Sequence, residues 1–464
     1  MKITLKNIGA LKGDVVIAPG RLTVFSGGNN TGKTYAMYVL WALFQRRTRH
    51  EFAFAARLAE QLRNQGSVLI ALDDFCTQHW ATLEKGIAEG LRKRLPDLFS
   101  APAALFEAAQ VQLHLSLPAF QAFAKTHPEF KRSIEVGTSS TLDVRLMQGD
   151  SGLAVALTAL DAGKLPLSLL AEIVSSLFVE LVMGTQVEGA FLLPAERGGL
   201  NLFYLDLDAK NSALVRHLKR DESNPMELIK DLMVAQYAEP IDAYIQFLKR
   251  APRAAKAGGA FHDQAMALQK EIARVRYKVS KDGVITAQPY RSNDELGIHL
   301  TSSTVKSFYG LWAWLELQAK AGDCLMIDEP ELNLHPDNQR LVARLLVRLV
   351  NRGVRVVIST HSDYIVRELN NMVMLSTPFD ERASLETQFG YDTSGSERLS
   401  HADVTAYHFT DKLVQPSEVS PEFGIEVKSI DEAINRLNES NSAIYFALAD
   451  ALHPLAVPDK VVEG

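Results

Sequence analysis

The sequence predicts an α/β fold built on a parallel sheet, and three observations carry that expectation. An apolar strand over residues 22–25 runs into a Gly/Asn-rich turn and then a helix over about residues 33–44. A second apolar run, residues 324–328, is followed by a helix over 336–351 and another apolar strand over 354–359. Strand, helix and strand in that order need a crossover connection, which is the grammar of parallel pairing.

Composition narrows the class. The 464 residues are enough for two or three domains, so insertions within one fold are expected. Hydrophobic residues make up 47% and charged residues 22%, which excludes a disordered or fibrous chain. Lys plus Arg number 49 against 55 Asp plus Glu, and the formal charge of −6 gives no global attraction to nucleic acid or acidic membranes. Any polyanion site is therefore local. The two cysteines, Cys76 and Cys324, fit neither a disulfide framework nor a zinc cluster, and no secretory leader is legible, so a cytoplasmic location is expected. The most apolar long stretch, residues 165–184, carries Glu172 and Glu180 at amphipathic spacing. A membrane span would put those charges in hydrocarbon, so the stretch reads as a packed helix and no membrane partner is expected.

Along the chain, a first strand over 2–5 opens the N-terminal part of the core domain, residues 1–50. An inserted helical and antiparallel β region follows at 51–188, mostly helical to about residue 98, with strands at 111–117, 141–147 and 153–157. A short core segment, 189–204, precedes a helical arm at 205–280, which Pro225, Pro240 and Pro252 break into short helices. A hairpin over 277–280 and 283–288 leads from the arm into the C-terminal part of the core domain, 281–375, which continues into a helix that Ser302 or Ser303 caps. Residues 376–464 are mixed and polar, with a closing helix over 430–438 and no legible chemistry.

The chemistry lies in a few constellations. Gly27-Gly28-Asn29-Asn30-Thr31-Gly32-Lys33-Thr34 fits the pattern of Gly, four residues, Gly-Lys-Thr, between a predicted strand and a predicted helix. Its glycines let backbone N–H groups wrap phosphate oxygens, and the helix N-terminus adds positive potential. Lys33 reaches the terminal phosphates and the Thr34 hydroxyl can ligate Mg²⁺, so ATP and Mg²⁺ are the expected cofactors. Asp328 and Glu329 end an apolar strand, where an open α/β sheet presents ligands. There Asp328 can hold Mg²⁺ through its water shell and Glu329 can polarise the attacking water; the bland alternative is an acidic helix start or a turn. His361 follows the second buried strand and lies beside the acidic pair if those strands are neighbours, within reach of a γ-phosphate. Arg197, after a short buried strand over 189–193, reads equally as a contact to Mg²⁺-bound phosphate, or a coupling of the insert to it, and as a surface pair with Glu196 or another acid. Asp206 and Asp208 have a nuclease-like carboxylate spacing but read as a solvated loop. Lys249, Arg250, Arg253, Lys256, Lys270, Arg274, Arg276 and Lys278 line the arm, so DNA is a further candidate partner, although such charges on helices are usually only solvated.

Taken in order, the Gly27–Thr34 loop, the run Asp328-Glu329-Pro330-Glu331-Leu332-Asn333-Leu334-His335-Pro336 and Ser359-Thr360-His361-Ser362 resemble the ABC-type ATPase heads of the SMC and OLD (overcoming lysogenisation defect) families. The resemblance covers residues 1–45 and 295–375. It implies an ABC-type P-loop head with a mixed β-sheet, an inserted α+β region and a short helical arm, hydrolysing ATP to ADP and phosphate. It also implies a head-to-head dimer that sandwiches two ATP molecules. Ser302-Ser303-Thr304 resembles the signature loop, which in such families places a serine hydroxyl and a helix N-terminus on the partner's γ-phosphate. By the same resemblance Asp328 is the Mg²⁺-site acid, Glu329 the water-activating base, His361 the switch histidine, and residues 333–335 the loop crossing the interface.

Two departures qualify the likeness. Thr304 stands where glycine is usual, which implies slow or partner-stimulated hydrolysis, and the Q-loop glutamine is not evident, with Arg197 in a comparable place. A stand-alone head of this size resembles the ATPase subunits of anti-phage defence systems of the Septu and PARIS type. That implies a sensor or scaffold acting on itself and on a separate effector such as a nuclease. Two alternatives stay open: a RecF-like repair ATPase that clamps DNA, and the motor subunit of a membrane transporter, which the missing glutamine and the insert disfavour.

Overall fold

Strands buried on both faces form the centre of the molecule. In the computed structural model, which describes residues 1–46, 50, 52–136, 140–149, 152–159, 165–204, 237–251, 258–280, 284–411 and 413–452, a six-stranded sheet runs in the order Val414–Ser417, Val404–Phe409, Leu22–Gly27, Arg355–Thr360, Cys324–Asp328, Ala190–Leu193. The last five are mutually parallel and Val414–Ser417 pairs antiparallel at the edge. Every residue of Leu22–Gly27 and Cys324–Asp328 is buried, as a strand covered on both faces requires. Pro416 lies on the edge strand, where a missing N–H disrupts no inner ladder. The expected parallel α/β architecture is the one observed, and its register sets Asp328 beside Ser359 and Thr360 beside Ser26.

Residues beyond 375 carry no legible role in the sequence, yet Val404–Phe409 pairs directly with the phosphate-loop strand. The insert is likewise woven into the core. Gln110–His114, expected as an insert strand, pairs with Lys2–Lys6, which also pairs with Val15–Ile17. A separate four-stranded antiparallel sheet contains Ser67–Ala71, Gly152–Ala159, Ser140–Gly149 and Lys131–Val136. Ser67–Ala71 falls inside the stretch expected to be helical: Gly66, with φ 74°, ends the helix Ala53–Gln65, and a short apolar run follows it. The helix Leu167–Gly184 is, among the described residues, the one long and apolar enough to cross a membrane, and most of it is buried in the protein. Its Glu180 reaches Arg46 at 2.6 Å.

One hydrophobic cluster joins Ile3, Phe25, Met37, Phe75, Leu157, Phe178, Met326 and Val357. Residues near 50 and 188 therefore mark no break in the core. Met1–Ile425 forms one compact unit and Glu426–Gly464 another. In the arm, Pro240 occupies the first turn of the helix Glu239–Arg250, where its absent N–H would be unpaired anyway. The helix His262–Ala267 widens into a π-turn, Leu268–Ala273, before the hairpin Val275–Val279 and Ile285–Pro289. Asp206, Asp208, Pro225, Pro252, Arg253 and Lys256 lie outside the described residues. The second unit contains the helix Lys428–Leu452, which extends well past the predicted 430–438.

Candidate functional site

The phosphate loop is shaped by two glycines, Gly27 and Gly32, held at φ values that side chains rarely adopt. Gly27 has φ 133°, and a Cβ there would collide with the Phe409 carbonyl on the neighbouring strand. Gly32, at φ 100°, is packed against Leu11. Asn30 takes the left-handed conformation at φ 62°, which Asn tolerates. The helix Lys33–Gln45 starts with no capping side chain and no acid in its first turn. Its first N–H groups are thus left for a ligand. Thr31 Oγ1 donates to the Gly28 carbonyl at 2.9 Å, bracing the loop from within.

Lys33 is buried and its Nζ donates to the carbonyls of Gly27 at 3.1 Å and Gly28 at 2.6 Å. Burial pulls the ammonium below its usual range, and the nearby carboxylates of Asp328, Glu329 and Glu331 work against that pull. Thr34 Oγ1 donates to Asp328 Oδ2 at 2.9 Å, and Ser359 Oγ donates to Asp328 Oδ1. A hydroxyl and a carboxylate converging in this way suit a hard cation. Magnesium commonly takes one or two protein oxygens and completes its shell with water and phosphate. The donor set therefore fits a Mg²⁺–nucleotide, which Thr34 and Asp328 would hold.

Glu329 leaves the strand in the left-handed conformation, φ 50°, a costly one for a non-glycine residue that the surroundings must enforce. Its N–H donates to the Ser359 carbonyl at 3.1 Å, and its carboxylate stands 3.5 Å from His361 Nε2. The side chains of Glu329 and His361 keep 32% and 29% exposure, so both face the open side of the site. The strands carrying them are neighbours, which meets the condition under which His361 would flank the acidic pair.

Arg197 does not form a surface ion pair. It is 1% exposed and donates to the backbone carbonyls of Pro194 at 3.2 Å, Asp328 at 2.8 Å and Glu329 at 2.8 Å. Glu196 is exposed and forms no pair with it. Burial opposes the guanidinium charge, and Tyr244, Glu331, Asp328 and Glu329 offset it. Its planar fork instead clamps the backbone at the turn after the acidic strand.

Glu331 is the residue that the sequence reading missed. Its Oε2 accepts from Thr360 Oγ1 at 2.9 Å and its Oε1 from the His361 N–H at 2.6 Å. Burial pushes its carboxyl up, while those hydrogen bonds and His361 pull it down. It thus ties the acidic turn to the histidine loop. The available signal was a second carboxylate two residues after Glu329 and directly after Pro330, in a run too short for a helix. Ser359, which orients Asp328, also passed unnoticed as an ordinary strand residue.

Ser302 and Ser303 make no bond to this cluster among the described residues. Ser302 caps the helix Ser303–Leu317, its Oγ accepting from the Val305 N–H at 3.3 Å, and both serines are exposed. Thr304 is half-buried in the first turn. Asn333 adopts φ 62° and is exposed, as is His335, which caps the helix Pro336–Asn351.

Residues 206–367 match the family described as "AAA domain, putative AbiEii toxin, Type IV TA system". Among solved structures the chain is similar to an SmcHead bound to the C-winged helix domain of ScpA, at 11% identity and TM-score 0.32, covering 90% of this chain and 97% of that one. It is also similar to an Smc head domain with an extended coiled coil bound to the C-terminal domain of ScpA from Pyrococcus furiosus, at 13% identity and TM-score 0.33, covering 95% and 98%. A third is the SMC head domain from Thermotoga maritima, at 11% identity and TM-score 0.30, covering 90% and 98%. No curated protein matches the chain in sequence. The AAA-domain match spans the acidic pair and His361, and together with the geometry of the phosphate loop it supports a P-loop ATPase of the AAA type.

Proposed function

We propose that the protein is an ATP-binding and ATP-hydrolysing sensor or scaffold subunit of a bacterial anti-phage defence system. It acts in the cytoplasm, forms ATP-sandwich dimers and controls a separate nuclease effector. The observation that carries the ATPase part is the convergence of Thr34 and Ser359 on Asp328, with Glu329 and His361 alongside and Lys33 beneath the loop. Bound Mg²⁺ would supply charge neutralisation for the phosphates. Lys33 and the uncapped helix start hold the phosphate tail. Glu329 orients and deprotonates the attacking water, and His361 bonds the γ-phosphate side of the site. Arg197 clamps the acidic turn and Glu331 ties it to the histidine loop.

The dimer is supported by what one chain leaves unused. Ser302 and Ser303 present an exposed helix start, while the phosphate loop of the same chain makes no bond to them among the described residues. A second head offers that contact. The description of the matched family, a toxin of a type IV toxin–antitoxin system, favours a two-component device over a transporter motor.

Two experiments test this reading. With ATP, the Glu329→Gln protein should either gain mass in light scattering or, at constant mass, contract in hydrodynamic radius, whereas Lys33→Ala should do neither. An unchanged mass and radius in Glu329→Gln would sink the sandwich. In cells challenged with phage, protection should need Lys33; equal plating with Lys33→Ala would remove the defence role.

A further inference from the structure

The helix Lys428–Leu452 spans 25 residues, about 37 Å at 1.5 Å per residue. Among its described side chains, the large apolar ones are not spent on a core: Leu437, Ile444, Tyr445, Phe446, Leu448 and Leu452 are between 54% and 68% exposed. Three of them, Leu437, Ile444 and Leu448, belong to a definite period in the sequence. Ile430, Ile434, Leu437, Asn441, Ile444, Leu448 and Ala451 follow one another at alternating steps of four and three, a heptad seam with Ile434, Asn441 and Leu448 at a and the others at d. A seam of that width suits another helix, not a broad domain surface.

We infer that this helix pairs with the same helix of a second copy of the chain, parallel and in register, as a two-stranded coiled coil. Three features choose that occupant. Asn441 is the one polar residue in the seam. Parallel pairing sets it against the other copy's Asn441, where each amide offers both donor and acceptor, while antiparallel pairing sets an a residue against a d residue, Leu437 or Ile444. A single asparagine at a is also the known device for fixing register and strand number. The flanking positions carry no like charges from Ala433 onward: Ala433, Ser440 and Ala447 at g would face Asn438, Tyr445 and Leu452 at e. Lys428, Glu432, Arg436, Glu439 and Asp450 fall at outward positions and Asp431 at the seam's margin. With two basic against four acidic residues, the helix carries a net charge of −2, which disfavours an anionic membrane as its alternative partner.

This pairing does not depend on nucleotide. Joining two chains at their C-terminal helices raises the effective concentration of one ATPase unit for the other, so closure by ATP becomes an intramolecular event. The full-length protein and Lys33→Ala should both run as dimers in light scattering without ATP. Leu437→Asp combined with Ile444→Asp should run as a monomer that binds nucleotide as wild type does. Leu448→Cys should give a disulfide-linked dimer on mild oxidation, as should Ile434→Cys, because only the parallel register brings each residue to its own copy; Cys76 and Cys324 are buried and do not compete. Asn441→Leu should raise the association number or broaden it.

Several results would overturn the inference. A nucleotide-free wild-type monomer would do so, as would a dimer that the double Asp variant leaves intact. A dimer without cysteine cross-links would refute the parallel register. Co-sedimentation of a monomer with phosphatidylglycerol–phosphatidylethanolamine vesicles would assign the helix to a membrane instead. If Lys33→Ala remains dimeric while Glu329→Gln fails to close with ATP, the coiled coil stands and the ATP sandwich falls.

Discussion

Two helix starts in this chain are built on opposite plans. The helix Lys33–Gln45 has Gly32 at its head, no capping side chain and no acid in the first turn, and its loop is walled by Phe409, Leu11 and the hydroxyl–carboxylate contact of Thr34 with Asp328. The helix Ser303–Leu317 caps itself with Ser302 and shows two serines to solvent. A self-capped start satisfies its own N–H groups and is stable without a ligand, whereas an uncapped one keeps them for phosphate. On the proposed function, one end receives phosphate and the other is presented to a second head. The difference also shows in cost: the receiving end has left-handed backbone at Asn30 and Glu329, and at Glu329 bonds to Ser359 and Arg197 hold it.

The largest expected effect breaks the chemistry of the receiving end and leaves its shape. Glu329→Gln keeps the backbone bonds to Ser359 and Arg197 but removes the base, so turnover should fall on the order of 10²–10⁴-fold with nucleotide affinity unchanged. Phosphate release and nucleotide titration measure the two separately. Unchanged turnover would mean that hydrolysis does not depend on this carboxylate. Next in size, Arg197→Met leaves the carbonyls of Pro194, Asp328 and Glu329 without their donor in a buried place, at a cost of about 2–4 kcal/mol in denaturant unfolding. If Arg197 instead contacted phosphate, affinity would drop while the unfolding midpoint held.

These two residues also mark how far the sequence could be read. The phosphate loop, the acidic pair and the parallel core were legible because each is a local pattern: glycines at fixed spacing, or an apolar strand ending in carboxylates. The neighbouring of His361 and Glu329 followed once strand order was assumed. Arg197 and Glu331 were not legible in role, because what they bond is main chain brought near by the fold, and no spacing announces a carbonyl or an N–H. The place of Val404–Phe409 beside the phosphate loop was missed for a related reason. Its alternating pattern marks a strand, but its partner, Leu22–Gly27, lies almost four hundred residues earlier. In the insert, Ser67–Ala71 was hidden by the helices on either side, since a five-residue apolar run has no period long enough to separate the two structures.

Glu331 sharpens the comparison through pH. Burial raises its carboxyl above the ordinary 4.5, so the folded chain binds this proton more tightly than the unfolded chain does. Stability from this group is therefore greatest in acid and declines as pH rises from 4.5 through the raised value. Glu331→Gln should remove that decline, since an amide can accept from the His361 N–H and donate to Thr360 Oγ1 without a charge. Urea midpoints across that window should show the variant gaining on the wild type as pH rises. Parallel curves would mean that the carboxylate is compensated by other groups.

The smallest effect separates the two serines of the presented end. Ser302→Ala removes a cap and should cost about 1 kcal/mol of stability, because the Val305 N–H loses its acceptor. Ser303→Ala removes a hydroxyl exposed at the first helical position and should change stability by less than about 0.5 kcal/mol. In the presence of ATP the ranking should reverse for Glu329→Gln, with Ser303→Ala impairing nucleotide-dependent closure although it leaves the fold alone. The reversal is the informative part, since a serine that served only its own helix would show its whole effect in unfolding. If neither serine changes closure, the helix start at 302–303 is merely a stable one, and the half of the site that a second head must complete lies elsewhere on the surface.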